Sequence, residues 1–196
     1  MRFLIGLIVG LLILPLAFLL YAMSGRMPVA TADAPMPFEA QLAGAGLNAR
    51  IHREAPNRDV SNFATSELVS GADIYQKNCA VCHGLPSQPV PTIGQGEFPR
   101  PPQLFTVDGR VSDDPAGVTY WKVKNGIRLT GMPAFEKSLT EMQTWQVTAL
   151  VARADKLPPQ VIDALKPGPP IVLVTAGAGA ANPAESPAPA PGQPAR

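Results

Sequence analysis

The first 23 residues contain one long apolar stretch without charge. Residues 3–22 (FLIGLIVGLLILPLAFLLYA) carry no charged side chain, with Pro15 near the middle. About 20 apolar residues allow a helix to cross the hydrocarbon core of a bilayer, and membrane helices tolerate an internal proline. Arg2 precedes the stretch and Arg26 follows it, so the positive-inside rule gives only a modest preference for an inside N-terminus. The pattern predicts a membrane anchor over residues 1–23.

A cleaved export signal is the alternative for the same segment. Ala30-Thr31-Ala32 is a small-residue site of the kind that signal peptidases need. It follows an apolar stretch that is already longer than the usual core of about 7–15 residues. We therefore favour the retained anchor, and either alternative places the rest of the chain outside the cytoplasm.

The segment after the anchor is poor in periodic apolar residues. Residues 24–65 contain several prolines and predict a linker. Within it, Phe38 and Leu42 have helical spacing, which predicts a short helix over residues 37–53.

Three further helices are predicted within residues 66–158, which we take as the folded domain. Ser66 can cap the first and Thr140 the last, because a side-chain oxygen can accept hydrogen bonds from free N–H groups at a helix start. Residues 84–112 are rich in proline and glycine and predict an irregular loop. The expected fold class is all-α. A domain of this size has a small core, which a large buried planar cofactor would supplement.

Composition describes the end of the chain and excludes one class of partner. Residues 159–196 are rich in Pro and Ala, with too few large apolar side chains to offset the entropy of ordering, so they predict a disordered tail. The formal net charge is +1, from 16 basic and 15 acidic side chains. A nucleic-acid-binding protein would normally show a clustered basic excess, so we expect no nucleic-acid partner.

The strongest chemical signal is Cys79-Ala80-Val81-Cys82-His83. C-x-x-C-H is typical of covalent attachment of haem c, because two thiols three residues apart on a helical turn point to one side and the next histidine can ligate the iron. A redox C-x-x-C would need a βαβ context, which the pattern does not show. A zinc site would need a second pair of ligands, and the chain has no other cysteine and only His52 besides.

A second axial ligand is expected among the six methionines. Met132 lies in the short loop Gly131-Met132-Pro133 between two predicted helices, where its thioether can reach an iron. Met142 lies on a helix face, so core packing is the expected role there. The alternatives are His52, which we interpret as a solvated linker residue, and an open sixth position.

Three segments together resemble one protein family. The segments are GADIYQKNCAVCHG (71–84), WKVKNGIRLTGMPAF (121–135) and LTEMQTWQVTALVARADKLP (139–158). With these segments the chain resembles the class I cytochromes c with a single haem, in the group of the cbb3-type oxidase subunit III domains.

The resemblance implies a small helical domain wrapped around one haem c. It implies that the first and last helices of the domain cross near Gly71 and Leu150. It also implies that a prolyl carbonyl accepts the ring N–H of His83, and Pro102 is the candidate, followed by Pro101. Such a bond would orient the imidazole and raise its basicity.

Three further side chains have two interpretations each. Trp121 and Trp145 are expected to pack in the core and around the haem, and either indole can instead donate to a haem propionate. Arg128 precedes the Met132 loop and can pair with a propionate or remain solvated.

The resemblance and the ligand set together predict an electron-transfer protein and not an enzyme. We expect a single-pass protein of the bacterial cytoplasmic membrane, with the haem domain on the periplasmic side. The expected partners are a quinol-oxidising complex and a terminal oxidase or reductase. A fixed cytochrome subunit of a larger oxidoreductase is the first alternative, and an open-site peroxidase or gas sensor is the second.

Overall fold

The computed structural model describes residues 2–106 and 112–167. Eight helices and no strand lie in these two ranges, which confirms the all-α prediction. The helices are α1 Arg2–Met23, α2 Glu39–Glu54, α3 Thr65–Asn78, α4 Ala80–His83, α5 Thr92–Gln95, α6 Ala116–Asn125, α7 Glu141–Ala152 and α8 Pro159–Ala164. Chain contacts separate a unit of residues 1–166 from a second of residues 167–196, of which only Pro167 is described. The remainder of the predicted tail lies outside the described residues.

Helix α1 is long and apolar enough to cross a membrane. Its most apolar stretch of 18 residues has a mean hydropathy of 3.0 and is not buried against the rest of the protein. No other helix in the described residues is long and apolar enough to cross a bilayer. Pro15 lies inside the helix, as expected. An apolar helix that the protein leaves uncovered fits a membrane anchor.

The folded domain is organised around the crossing of α3 and α7. Leu68, Ala72 and Tyr75 of α3 are fully buried, as is Leu150 of α7. At Gly71 a side chain would overlap the carbonyl of Gln146 and approach the Cβ atom of Leu150. The crossing that the resemblance implied near Gly71 and Leu150 is therefore present, and glycine is what lets the two backbones approach.

Helix α7 begins as its sequence predicts. The Thr140 hydroxyl accepts a hydrogen bond from the Gln143 N–H at 3.2 Å, and the Gln143 side chain accepts one from the Thr140 N–H at 2.9 Å. Two donors that a helix start leaves free are thus satisfied reciprocally. Farther along, the Trp145 ring stacks on Tyr120 of α6 with centroids 4.0 Å apart, so the expected core role of Trp145 is observed.

The structure differs from the predicted boundaries at both ends of the domain. Helix α3 begins at Thr65, and Glu67 accepts a hydrogen bond from the Ala64 N–H at 2.8 Å, so Ser66 lies inside the first turn and does not cap it. Residues 159–164, which the composition assigned to a disordered tail, form α8. The pair Val161 and Leu165, four residues apart, is buried to 0% and 1% exposure. Burial of this one apolar face is sufficient to order the segment as a helix, although prolines flank it.

The second half of the predicted linker is held against the domain. Arg153 donates hydrogen bonds to the carbonyls of Val60, Ser61 and Phe63. The Arg58 guanidinium lies 4.9 Å from the centre of the Trp145 ring, which is within cation–π range. Residues 58–63 are therefore part of the packed unit.

The α3–α7 crossing gives a stability prediction with a matched control. We expect Gly71→Ala to lower the free energy of unfolding by about 1–3 kcal/mol, as overpacking of a close contact does. Gly46→Ala in α2 meets no atom within 4 Å, and it should raise stability by about 0.5–1 kcal/mol because glycine disfavours a helix interior. Denaturant unfolding in detergent measures both. Equal effects of the two variants would contradict the close crossing.

Candidate functional site

One cavity is lined by the residues that the sequence predicts to attach a haem and to ligate its iron. Cys79, Cys82, His83 and Met132 all line it. The end of α3, helix α4, the loop over residues 97–104, the loop after α6 and part of α7 form its walls. Apolar side chains dominate the lining: Leu47, Leu104, Val123, Ile127, Phe135, Val147 and Val151.

Local helix geometry brings the two thiols to one side. Cys79 ends α3, where its N–H donates to the Tyr75 carbonyl at 2.8 Å, and its own carbonyl accepts the His83 N–H at 2.9 Å. The turn thus continues from α3 into α4, and residues three or four apart lie on one face of a helical turn. The spacing of Cys79, Cys82 and His83 therefore directs all three side chains to the cavity.

Both thiols are neutral at physiological pH. Burial raises the pKa of Cys79 to about 12. Burial, followed by the hydrogen bond to Glu97, raises the pKa of Cys82 to about 11. Redox-active cysteines instead have lowered pKa values that favour the thiolate. The pair does not have the electrostatics of a disulfide oxidoreductase.

The His83 ring is oriented by a backbone carbonyl. Its Nδ1 lies 2.7 Å from the Pro102 oxygen. A carbonyl oxygen only accepts hydrogen bonds, so Nδ1 carries a proton, and in the neutral imidazole Nε2 then keeps its lone pair for a metal. Pro102 was the first candidate for this contact, and Pro101 lines the cavity beside it.

Tyr75 secures the turn that follows the motif. Its buried hydroxyl donates to the Gly84 carbonyl at 2.7 Å, and its ring meets Phe105 edge-on with centroids 5.0 Å apart. Burial raises the pKa of Tyr75 above its ordinary value, so the phenol remains a hydrogen-bond donor. The core of the domain and the motif are thereby joined directly.

Hydrogen bonds close the loop that carries Met132. The Ile127 N–H donates to the Met132 carbonyl at 3.1 Å, and the Thr130 hydroxyl donates to the Ile127 carbonyl at 2.7 Å. The same hydroxyl accepts the Met132 N–H at 3.1 Å. Met142, which was expected to pack in the core, lies in the first turn of α7 and is instead 48% exposed.

The residues in the cavity fit haem c. The donor set consists of two thiols on one turn, an imidazole with a free Nε2 and a thioether, surrounded by apolar walls suited to a porphyrin. Within residues 2–106 and 112–167, no three His, Cys, Asp or Glu side chains converge as a zinc site would require.

Comparison with known families gives one match, which covers the middle of the chain. The family model described as Cytochrome C oxidase, cbb3-type, subunit III matches residues 66–151. Residues 66–151 are a cytochrome c domain. The matched range contains both cysteines, His83, Pro102 and Met132, and a cytochrome c domain implies haem and electron transfer. No curated protein matches the chain.

Two parts of the cavity wall are not predicted by the sequence. Glu97, from the irregular loop, lies against the Cys82 thiol and the backbone of Gly131. Leu47 and Asn48, from α2, line the cavity although α2 precedes the cytochrome c domain. Neither a loop residue nor a short helix in a linker carries a local pattern that indicates cavity contact.

Trp121 and Arg128 lie elsewhere than in the cavity lining. Both line a neighbouring groove between α2 and the loop after α6. The indole N–H of Trp121 donates to a Glu54 oxygen at 3.1 Å, so this donor already has a protein partner. Arg128 is exposed. The structure therefore does not bring either side chain to the thiols and His83.

Glu54 is an ionised partner of Trp121 and of two arginines. Arg50 and Arg53 donate to its Oε1 at 2.8 and 3.0 Å. The Arg50 hydrogen bond is the largest of the causes that lower the pKa of Glu54 from 4.5 to about 2. A lowered folded-state pKa means that the unfolded chain binds protons more readily as the pH falls.

This linkage predicts a pH-dependent difference for Glu54→Gln, which keeps an acceptor for Trp121 and removes the charge. The wild-type protein should be more stable than the variant above about pH 5. Its advantage should disappear as the pH falls through the Glu54 pKa of about 2. Denaturant unfolding followed by circular dichroism from pH 2 to 6 measures the difference. An advantage that does not change with pH would exclude the carboxylate as its source.

Proposed function

We propose that this protein is a membrane-anchored monohaem cytochrome c that carries single electrons in a periplasmic respiratory chain. The carrying observation is the convergence of Cys79, Cys82, His83 and Met132 in one apolar cavity of the cytochrome c domain. The four side chains would divide two tasks between them, which are attachment of the haem and ligation of its iron.

Cys79 and Cys82 would hold one haem c through two thioether bonds. His83 would ligate the iron through Nε2 while Pro102 keeps the imidazole oriented, and Met132 would ligate through its sulfur. The bound group supplies a one-electron ferric/ferrous couple, and Met/His ligation raises its reduction potential. With His83 and Met132 both ligating the iron, no coordination position would remain for a substrate, which favours outer-sphere electron transfer over catalysis.

Trp121 and Arg128 have a weaker place in this proposal. Arg128 is an exposed cation within a few residues of Met132 and remains a candidate partner for a haem propionate. Trp121 contributes through its packing and through the bond to Glu54. Neither side chain is needed to bring together the two thiols, His83 and Met132.

Helix α1 would keep the protein in the cytoplasmic membrane of a bacterium as a single-pass anchor. The chain from residue 24 to 38, about 15 residues, can span at most about 50 Å. The haem domain would therefore remain close to the periplasmic surface. Tethering raises the effective concentration of membrane partners, such as a quinol-oxidising complex and a terminal oxidase or reductase.

A fixed subunit of a larger oxidoreductase is the second candidate. The description of the matching family as an oxidase subunit favours it. Detergent extraction followed by size-exclusion chromatography distinguishes the two: a carrier elutes alone, and a subunit elutes with companions.

The attachment prediction concerns the two cysteines. Cys79→Ser or Cys82→Ser should leave one thioether bond, and the double variant none, because a hydroxyl does not form this bond to a vinyl group. Acid–acetone extraction of the denatured protein measures attachment. The parent should retain all of its haem on the polypeptide, and the double variant should release it. Free extraction from the parent would refute covalent attachment.

The ligand prediction concerns Met132. A thioether is a soft ligand that favours the reduced metal, so Met132→Ala should lower the midpoint potential and abolish the sulfur-to-iron absorption of the ferric form. The variant should also bind carbon monoxide in the ferrous form, because its sixth position is open.

Met142→Leu is the matched control. Met142 is half-exposed and lies outside the cavity lining, so the change should leave the spectrum and potential unaltered. Loss of ligation in Met142→Leu, with Met132→Ala unaffected, would reverse the assignment. If the parent itself binds carbon monoxide readily, an open-site enzyme or sensor replaces the carrier.

A further inference from the structure

We propose that α2, which lies outside the cytochrome c domain, forms a wall of the haem cavity, and that Leu47 limits the access of water to the haem. This inference rests on the proposed function, because it requires haem in the cavity. It gives a role to a segment that the sequence indicates only as part of a linker.

The position of Leu47 carries the argument. It lines the cavity together with the two cysteines, His83 and Met132, and it also lines the neighbouring groove. Pro99, Ile127 and Thr130 are likewise shared by the two spaces. Leu47 is half-buried and lies at the boundary between the cavity and the groove, because it lines both.

Helix α2 is fixed in this position from its C-terminal end. Ile51, one turn after Leu47, is buried to 3% exposure. The Trp121–Glu54 hydrogen bond ties the last turn of α2 to α6. Immediately beyond, the Pro56 carbonyl lies where a side chain on Gly117 would have to be, so only glycine permits this approach. Three successive contacts thus hold α2 against the domain.

The opposite side of α2 makes no comparable contact. Leu42, five residues before Leu47, is 74% exposed and lines neither the cavity nor the groove. A helix that only connected the anchor to the domain would not need a large apolar side chain at the cavity boundary. The two leucines therefore form a natural pair for comparison within one helix.

The wall has a defined electrostatic consequence. Ferric haem carries one more positive charge than ferrous haem, and a low-polarity environment disfavours the more charged form. Burial is one of the means by which a protein tunes haem potential. Leu47 would therefore raise the potential by excluding water, and replacing it with a smaller or charged side chain should lower the potential.

The experiment compares the full chain in detergent with Leu47→Ala, Leu47→Asp and Leu42→Asp. We expect the midpoint potential to fall in Leu47→Ala and to fall further in Leu47→Asp, where a carboxylate also stabilises the ferric charge. Added salt should reduce the extra fall, because salt screens partly exposed charges. Leu42→Asp should match the parent. The sulfur-to-iron absorption should persist throughout, which separates the shift from loss of Met132.

The outcomes separate this inference from the proposed function. A parent without covalently bound haem refutes the proposed function and the wall together. A parent with haem, and equal potentials in Leu47→Asp and Leu42→Asp, refutes the wall alone. If Leu47→Asp does not retain haem, Leu47→Ala decides: a potential equal to that of the parent refutes the wall, and a lower one supports it.

Discussion

The site depends on one hydrogen bond between distant parts of the chain. The Nδ1–H of His83 donates to the carbonyl of Pro102 at 2.7 Å. This contact sets the tautomer, directs Nε2 into the cavity and holds the irregular loop over residues 97–104 against the end of α3. A carbonyl that accepts the Nδ1–H also raises the basicity of the imidazole as a metal ligand. The contacts of Glu97 with Cys82 and of Phe105 with Tyr75 hold the same loop beside the motif.

The remaining structure keeps the two ends of that bond in register. The crossing at Gly71 fixes α3, which ends at Cys79, and the Tyr75 hydroxyl reaches past the motif to the Gly84 carbonyl. Helix α7 contributes the apolar side chains of Val147 and Val151 to the wall of the same cavity. Core packing and ligand placement are therefore achieved by the same helices, which suits a small domain whose core includes the cofactor space.

The chain outside the cytochrome c domain is coupled to it. Residues 58–63 are held by Arg153, and α2 reaches the cavity wall through Leu47. The membrane helix therefore joins, through a short connection, an element that lines the site. In the proposed carrier, tethering and haem environment would be linked through α2.

The sequence alone determined those features that depend on near neighbours. Three of these features are local patterns that can be identified without knowledge of the fold: the C-x-x-C-H spacing, the capping box at Thr140 and the uncharged run of α1. Pro102 was indicated only through resemblance, since it lies 19 residues from His83. The tertiary structure decided the contacts of Leu47, Glu97 and Trp121, whose partner Glu54 is 67 residues away. It also folded α8, because burial of one apolar face outweighs a composition that favours disorder. Such contacts depend on how the helices pack, and the local sequence pattern around a single residue does not indicate that packing.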